Sequence, residues 1–257
     1  MNFSPPPMRQ WRASDRKERL DQALVRLGLA PSRERARALI LAGKVTVDGH
    51  VVDKAGAAVG DVARVELLAE DHPFASRGGV KLAGALDAFA LDPAGRLCLD
   101  VGASTGGFTD CLLQRGAARV YAVDVGRGQL ASKLSADPRV VVVDRVNARA
   151  LSRDDVPESP SLATIDVSFI SVRKVLPAVV PLLATPADVV VLVKPQFEAT
   201  RREIGKGGVV KDDAVRSRVV DEVASAAKEL GLTERARSDS ALHGPKGNRE
   251  VFLWLSR

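Results

Sequence analysis

Four charged residues stand at the edges of apolar runs. Lys81 lies in Ser76-Arg77-Gly78-Gly79-Val80-Lys81-Leu82, Asp166 follows Thr164-Ile165, Lys194 follows Leu192-Val193, and Glu250 precedes Val251-Phe252. Two amines and two carboxyls gathered in one place can move a proton or stabilise a developing oxyanion. The bland alternative is a surface ion-pair network that does no chemistry. A second group of residues is suited to binding. The apolar run Leu97-Cys98-Leu99 leads into Asp100-Val101, then the turn Gly102-Ala103-Ser104-Thr105-Gly106-Gly107, then Phe108-Thr109-Asp110. Glycines let a backbone turn tightly and approach a ligand without a Cβ in the way. At the end of a buried strand, such a turn meets nucleotide-like ligands.

The spacing of Gly102, Gly106 and Gly107 is not the dinucleotide fingerprint, and no Gly-Lys-Ser/Thr phosphate loop is present. An acid at Asp100 would repel a pyrophosphate but suits the cationic amino-acid end of S-adenosylmethionine. The run Val120-Tyr121-Ala122-Val123 ends in Asp124, placed to accept hydrogen bonds from a ribose diol. The next run ends at Asp144, with Asn147 just beyond, where methyltransferases usually hold the adenine. Acids at successive strand ends therefore point to S-adenosylmethionine as cofactor. Gly102, Ser104, Gly106, Gly107, Phe108 and Thr109 would form the loop around it.

Such residues need a sheet to carry them. The hydrophobic pattern predicts strands over 97–101, 119–124, 139–143, 162–167 and 188–193, with two last strands near 232–240 and 249–255. Helices are predicted over 79–90, 107–115, 127–135, 171–184 and 211–230. Strands alternating with helices imply a doubly wound, Rossmann-like α/β sheet. The carboxyl ends of its strands converge on one crevice, so Asp166 and Lys194 should face the glycine loop.

The chain begins differently. Residues 1–18 read as a flexible basic leader, 19–69 as a small α+β unit, 70–76 as a linker and 77–257 as the α/β domain. In the small unit, Leu20, Ala23, Leu24 and Leu27 share a helix face. Ser32 can cap a second helix carrying Ala36, Leu39 and Ile40. A hairpin follows through Val45-Thr46-Val47, Asp48-Gly49 and Val51-Val52, and a strand over 61–68 closes the unit. Arg33 and Arg37 are four apart on one face of the second helix, with Lys44 just past its end.

The net charge of +6 is confined to residues 1–45, which hold ten Lys/Arg against four acids. An excess at one end suggests a polyanion contact, although a solvated basic tail explains residues 9–19 equally well. Cys98 and Cys111 are too few for a disulfide scaffold. Three scattered histidines and no Cys pair at ligand spacing argue against a metal site. A reducing cytoplasm fits this composition. The start of the chain lacks the apolar stretch of a signal peptide, and runs such as Val189–Val193 fall far short of the roughly 20 residues of a membrane helix.

The strings S-R-G-G-x-K-L, G-A-S-T-G-G-F-T-D, D-V-S-F-I-S, V-K-P-Q-F-E and G-N-x-E together resemble the FtsJ-like RNA 2′-O-methyltransferases. The resemblance implies that Lys81, Asp166, Lys194 and Glu250 form that family's Lys-Asp-Lys-Glu tetrad. Lys194 would take the ribose hydroxyl proton or stabilise the alkoxide, with Lys81 and Glu250 orienting it and Asp166 placing it beside the methyl group. Residues 19–68, with R-L-D-x-x-L…S-R-x-x-A…G-x-V-x-V-D-G, resemble the S4-type RNA-binding domain. That implies RNA contacts from Arg19, Arg33, Arg37 and Lys44.

Together the two parts resemble the TlyA family of ribosomal RNA methyltransferases. The expected partner is ribosomal RNA within ribosomal subunits, with cytidine targets in the large and in some members the small subunit, and a monomer is expected. Lys206 and Lys211, in the loop Glu203–Lys211, could touch RNA phosphates or simply be exposed. No interleaved aromatic-basic pattern indicates base stacking. Three alternatives remain: a non-catalytic RNA-binding factor, a membrane-active haemolysin, and a dehydrogenase. The tetrad residue types, the lack of an apolar span and the glycine spacing argue against each in turn.

Overall fold

The computed structural model describes residues 17–41, 43–60, 63–68, 72–244 and 247–257. They fall into two compact units divided between Pro73 and Phe74. The expected leader lies outside the described residues except for Lys17 and Glu18, which belong to a strand. Two residues of the expected linker, 70 and 71, also lie outside them.

The first unit runs β1 (Lys17–Arg19), α1 (Leu20–Arg26), α2 (Arg33–Leu41), β2 (Val45–Val47), β3 (His50–Val51), β4 (Ala58–Gly60) and β5 (Val65–Leu67). β1 pairs antiparallel with β4, and β2 is flanked by β3 and β5. Leu20, Ala23 and Leu24 of α1 pack on Ala36, Leu39 and Ile40 of α2, over Val45 and Val59. Burial of these aliphatic faces holds the short elements together.

The second unit runs α3 (Arg77–Phe89), β6 (Leu97–Val101), α4 (Gly107–Gln114), β7 (Arg119–Asp124), α5 (Ser132–Ser135), β8 (Val140–Asp144), β9 (Leu162–Ile165), α6 (Leu176–Val179), β10 (Asp188–Val193), α7 (Pro195–Glu198), α8 (Asp213–Glu229), β11 (Thr233–Asp239) and β12 (Val251–Ser256). Its seven strands are ordered β11-β12-β10-β9-β6-β7-β8. β6 through β10 are parallel to one another, and β12 is antiparallel to both β10 and β11. Side chains alternate between faces. Leu99, Val101, Ile165, Val191 and Leu253 fill one side with α6 and α8, whereas Cys98, Val120, Leu162, Leu192 and Phe252 meet α3 and α4 on the other.

Two expected helices differ. The stretch 127–135 is helical only over α5, after the chain takes a positive φ at Gly128. The stretch 171–184 breaks into α6 and flanking 3-10 turns, because Pro177 and Pro181 cannot continue a helical ladder.

Candidate active site

β6 and β9 are neighbours while β7 lies on the other side of β6, so the chain reverses direction of build at β6. Ligand crevices of open α/β sheets form at such a point. There Gly102 adopts φ +92°, and a Cβ would press into the carbonyl oxygen of Asp166. Glycine alone lets the two strand ends come this close. Gly107 plays a similar part at the start of α4, where a Cβ would collide with Ser76 Oγ and the backbone of Gly79. Ser76 in turn caps α3, accepting from the Gly78 N–H at 3.3 Å. The S-R-G-G and G-G-F-T-D strings are thus the two sides of one close helix contact.

The acid near the end of this strand is buried. Asp100 shares the face of Cys98, which α4 covers, and its side chain is fully enclosed. It accepts from Thr109 Oγ1 at 2.6 Å and Thr164 Oγ1 at 3.2 Å. Burial pushes its carboxyl up to about 7, against the pull of those hydroxyls. Asp100 thereby bolts helix and sheet together beside the loop. Gly106, Gly107, Phe108 and Thr109 are buried with it.

Gly102, Ser104, Asp124 and Asn147 do line a cavity, of about 1140 Å³. Asp124 ties its walls together, accepting from the Ser104 N–H at 2.8 Å and the Gly126 N–H at 2.7 Å. A carboxylate offers about four lone-pair sites, so acceptors remain for a diol. Asn147 caps the turn at Ala148–Ala150 through the Arg149 N–H at 3.1 Å. Asp144 is not among the lining residues and instead holds the Gly128 N–H at 2.7 Å, shaping the neighbouring loop.

Asp166, Lys194 and Glu250 stand at one end of three adjacent strands, beyond the register partners Ile165, Val191, Val193 and Val251. They form two ion pairs with Lys81. Lys194 Nζ lies 2.6 Å from Asp166 Oδ1 and donates to Ser168 Oγ at 2.9 Å. Lys81 Nζ lies 2.5 Å from Glu250 Oε2, both largely buried, while Glu250 Oε1 is buried without a hydrogen-bond partner. Asp166 and Ser168 line the cavity, so Lys194 meets its wall through them. A buried ion pair costs desolvation that one residue in isolation could not offset. Each pair is mostly enclosed, which separates it from a surface ion pair.

Four residues inside the quoted strings, Phe169, Phe197, Glu198 and Asn248, take placements that their spacing does not predict. Phe169 takes φ +64°, is 92% exposed and sits 5.2 Å from the Phe197 ring, with both on the cavity wall. An aromatic surface exists after all, made by two rings far apart in the chain. Buried Glu198 accepts from Ser171 Oγ at 2.5 Å and the Val172 N–H at 2.7 Å, tying the D-V-S-F-I-S loop to the K-P-Q-F-E turn. Asn248 pins the loop that carries exposed Lys206 and Lys211, accepting from the Val210 N–H at 3.1 Å and donating to Gly208 O at 2.9 Å. Among the described residues, no group of three or more His, Cys, Asp or Glu could hold a metal ion.

In the first unit, Arg19, Arg33 and Arg37 converge on Asp21, while Lys44 immediately precedes β2. Asp21 is fully buried, and the three guanidiniums hold its carboxyl far below the usual range.

Sheet order and strand-end chemistry place the second unit among the methyltransferases of Rossmann-like fold, and the family comparisons agree. An FtsJ-like methyltransferase model matches residues 74–257, and an S4 domain model matches residues 18–61. The chain is 51% identical to the 16S/23S rRNA (cytidine-2′-O)-methyltransferase TlyA of Mycobacterium tuberculosis, over 93% of this chain and 90% of that one. It is 40% identical to Hemolysin A of Brachyspira hyodysenteriae, over 91% of this chain and 98% of the other. A solved Streptococcus thermophilus structure, provisionally named a hemolysin, superposes with TM-score 0.73 at 40% identity, covering 95% of this chain and 90% of that one. This chain belongs to the TlyA family of FtsJ-like methyltransferases. No helix among its described residues is long and apolar enough to cross a membrane.

Proposed function

We propose that the chain transfers a methyl group from S-adenosylmethionine to the ribose 2′-hydroxyl of cytidine in ribosomal RNA. The observation that carries this reading is the Lys194–Asp166 ion pair at the wall of the cavity that begins at Gly102. When bound, S-adenosylmethionine supplies a methyl carried on a cationic sulfur. Gly102, Ser104, Asp124 and Asn147 would hold it, with the free lone pairs of Asp124 suited to a ribose diol.

A ribose hydroxyl is a poor acid, so the acceptor needs a base or a cation beside its oxygen. Lys194 serves there, taking the proton or stabilising the alkoxide. Asp166 and Ser168 fix its amine in position. Lys81 and Glu250 brace the neighbouring strand end. Holding the hydroxyl beside the donor would supply much of the rate. Phe169 and Phe197 offer faces to the base of the acceptor nucleotide. Arg19, Arg33, Arg37 and Lys44 hold RNA at the first unit, and Lys206 and Lys211 contact phosphates near the second.

The test is transfer of tritiated methyl to unmodified ribosomal subunits, beside calorimetric binding of S-adenosylhomocysteine. Lys194→Ala should lose at least about 1,000-fold in transfer, as removal of a group acting in the transition state does. Its binding of S-adenosylhomocysteine should stay within about threefold of wild type. Near-normal transfer by this variant would remove Lys194 from the mechanism. A wild-type chain that binds subunits without methylating them would favour the non-catalytic RNA-binding reading.

A further inference from the structure

We propose that Asp21 is a positioning residue that presets Arg19, Arg33 and Arg37 as one anion-binding cluster for an RNA phosphate backbone. This rests on reading the first unit as RNA-binding. The three arginines come from separate places: Arg19 ends β1, and Arg33 and Arg37 lie a turn apart on α2. Asp21, in the first turn of α1, is the point where they meet. Arg19 donates to it through Nε at 2.9 Å and Nη2 at 3.1 Å, Arg33 through Nη2 at 3.3 Å, and Arg37 through Nε at 3.1 Å. The carboxylate is fully buried, whereas the arginine side chains are 47%, 50% and 54% exposed.

Neutralising one buried carboxylate requires one cation, and here three surround it. The excess leaves a net charge of two in an exposed cluster. A guanidinium carries about five N–H groups. Asp21 engages two on Arg19 and one each on Arg33 and Arg37, leaving the others for a further anion. Arginine side chains carry about 2 kcal/mol of rotamer entropy, and holding them beforehand lowers the cost of ordering them on a ligand. Burying a carboxylate is otherwise a poor way to stabilise a small unit, because an apolar side chain of similar volume does so at least as well.

The alternative is that Asp21 only balances charge, and the two roles give opposite signs. Asp21→Asn keeps the shape and removes a negative charge beside three cations. Simple electrostatics then demands tighter RNA binding. Positioning demands weaker binding despite the added net positive charge.

The experiment measures affinity of the full chain for a transcript of large-subunit ribosomal RNA at about 100 mM salt, where phosphate contacts dominate. Thermal unfolding is followed for each variant. Asp21→Asn should bind about tenfold more weakly, the effect of losing one charge-assisted hydrogen bond. Asp21→Glu, which keeps the charge but displaces it by a methylene, should weaken binding too. On an Arg33→Gln/Arg37→Gln background, Asp21→Asn should cost less than it does alone, since only Arg19 is then left for it to position.

Equal or tighter binding by folded Asp21→Asn overturns the proposal, and so does an undiminished loss on the double-variant background. If Asp21→Asn fails to fold, Asp21→Glu decides: wild-type binding by that variant overturns the proposal, as does loss of folding in both. The RNA-binding reading fails separately, if Arg33→Gln/Arg37→Gln leaves affinity unchanged.

Discussion

The carboxyl of Asp100, enclosed by Thr109 and Thr164, ties the pH dependence of stability to the loop beside the cavity. Its pKa is raised from 3.8 to about 7, so the folded chain binds this proton more tightly than the unfolded chain does. The stabilisation is complete below the unfolded value and is lost as pH rises toward the folded one. Asp100→Asn removes that dependence. Its stability relative to wild type should therefore increase between about pH 4 and 7, by on the order of 1–4 kcal/mol. Denaturant midpoints at several pH values measure this, and parallel profiles for the two proteins would contradict it. Strand alternation alone puts Asp100 on the face of Cys98. What the sequence does not contain is which face α4 would cover, and that decides whether the acid is enclosed. Phe169 is illegible for a similar reason, since its exposure follows from a positive φ in an aperiodic loop.

At the scale of elements, the long apolar strands and α8 are readable because their periodicity is strong and their ends carry turn or cap residues. Asp212, for example, caps α8 through the Ala214 N–H at 2.8 Å. β1 and β4 leave no such trace, being three residues each, and β1 reads Lys-Glu-Arg with no apolar alternation. Asp166, Lys194 and Glu250 are legible as residues at strand ends and Lys81 as a residue of α3, and the antiparallel run of β10 and β12 brings Glu250 to the end where Lys194 stands. The contact between the ends of β6 and β9 is the element on which the cavity depends. Gly102→Ala introduces a Cβ into the Asp166 carbonyl and a side chain at positive φ. It should cost about 1–3 kcal/mol of stability and weaken S-adenosylhomocysteine binding at least about tenfold. Calorimetry and thermal unfolding check both, and wild-type binding would show that the strand ends need not touch there.

For the whole molecule, a basic unit matched by an S4 model is joined to a methyltransferase unit, so the substrate of the second should be a nucleic acid held by the first. Charge asymmetry makes that division visible in the sequence alone, because the excess of cations is confined to the first 45 residues. Relatives named as hemolysins share this architecture, and the catalytic reading gives the cluster of Lys81, Asp166, Lys194 and Glu250 a use that membrane lysis does not. The central claim is that the methyl group lands on a ribose oxygen. Unmodified ribosomal subunits should be incubated with the purified chain and S-adenosylmethionine, the RNA digested to nucleosides, and the products resolved by mass spectrometry. The expected result is 2′-O-methylcytidine, absent when Lys194→Ala replaces the wild-type chain. A methyl group found on a base, or none in any product, would contradict the account.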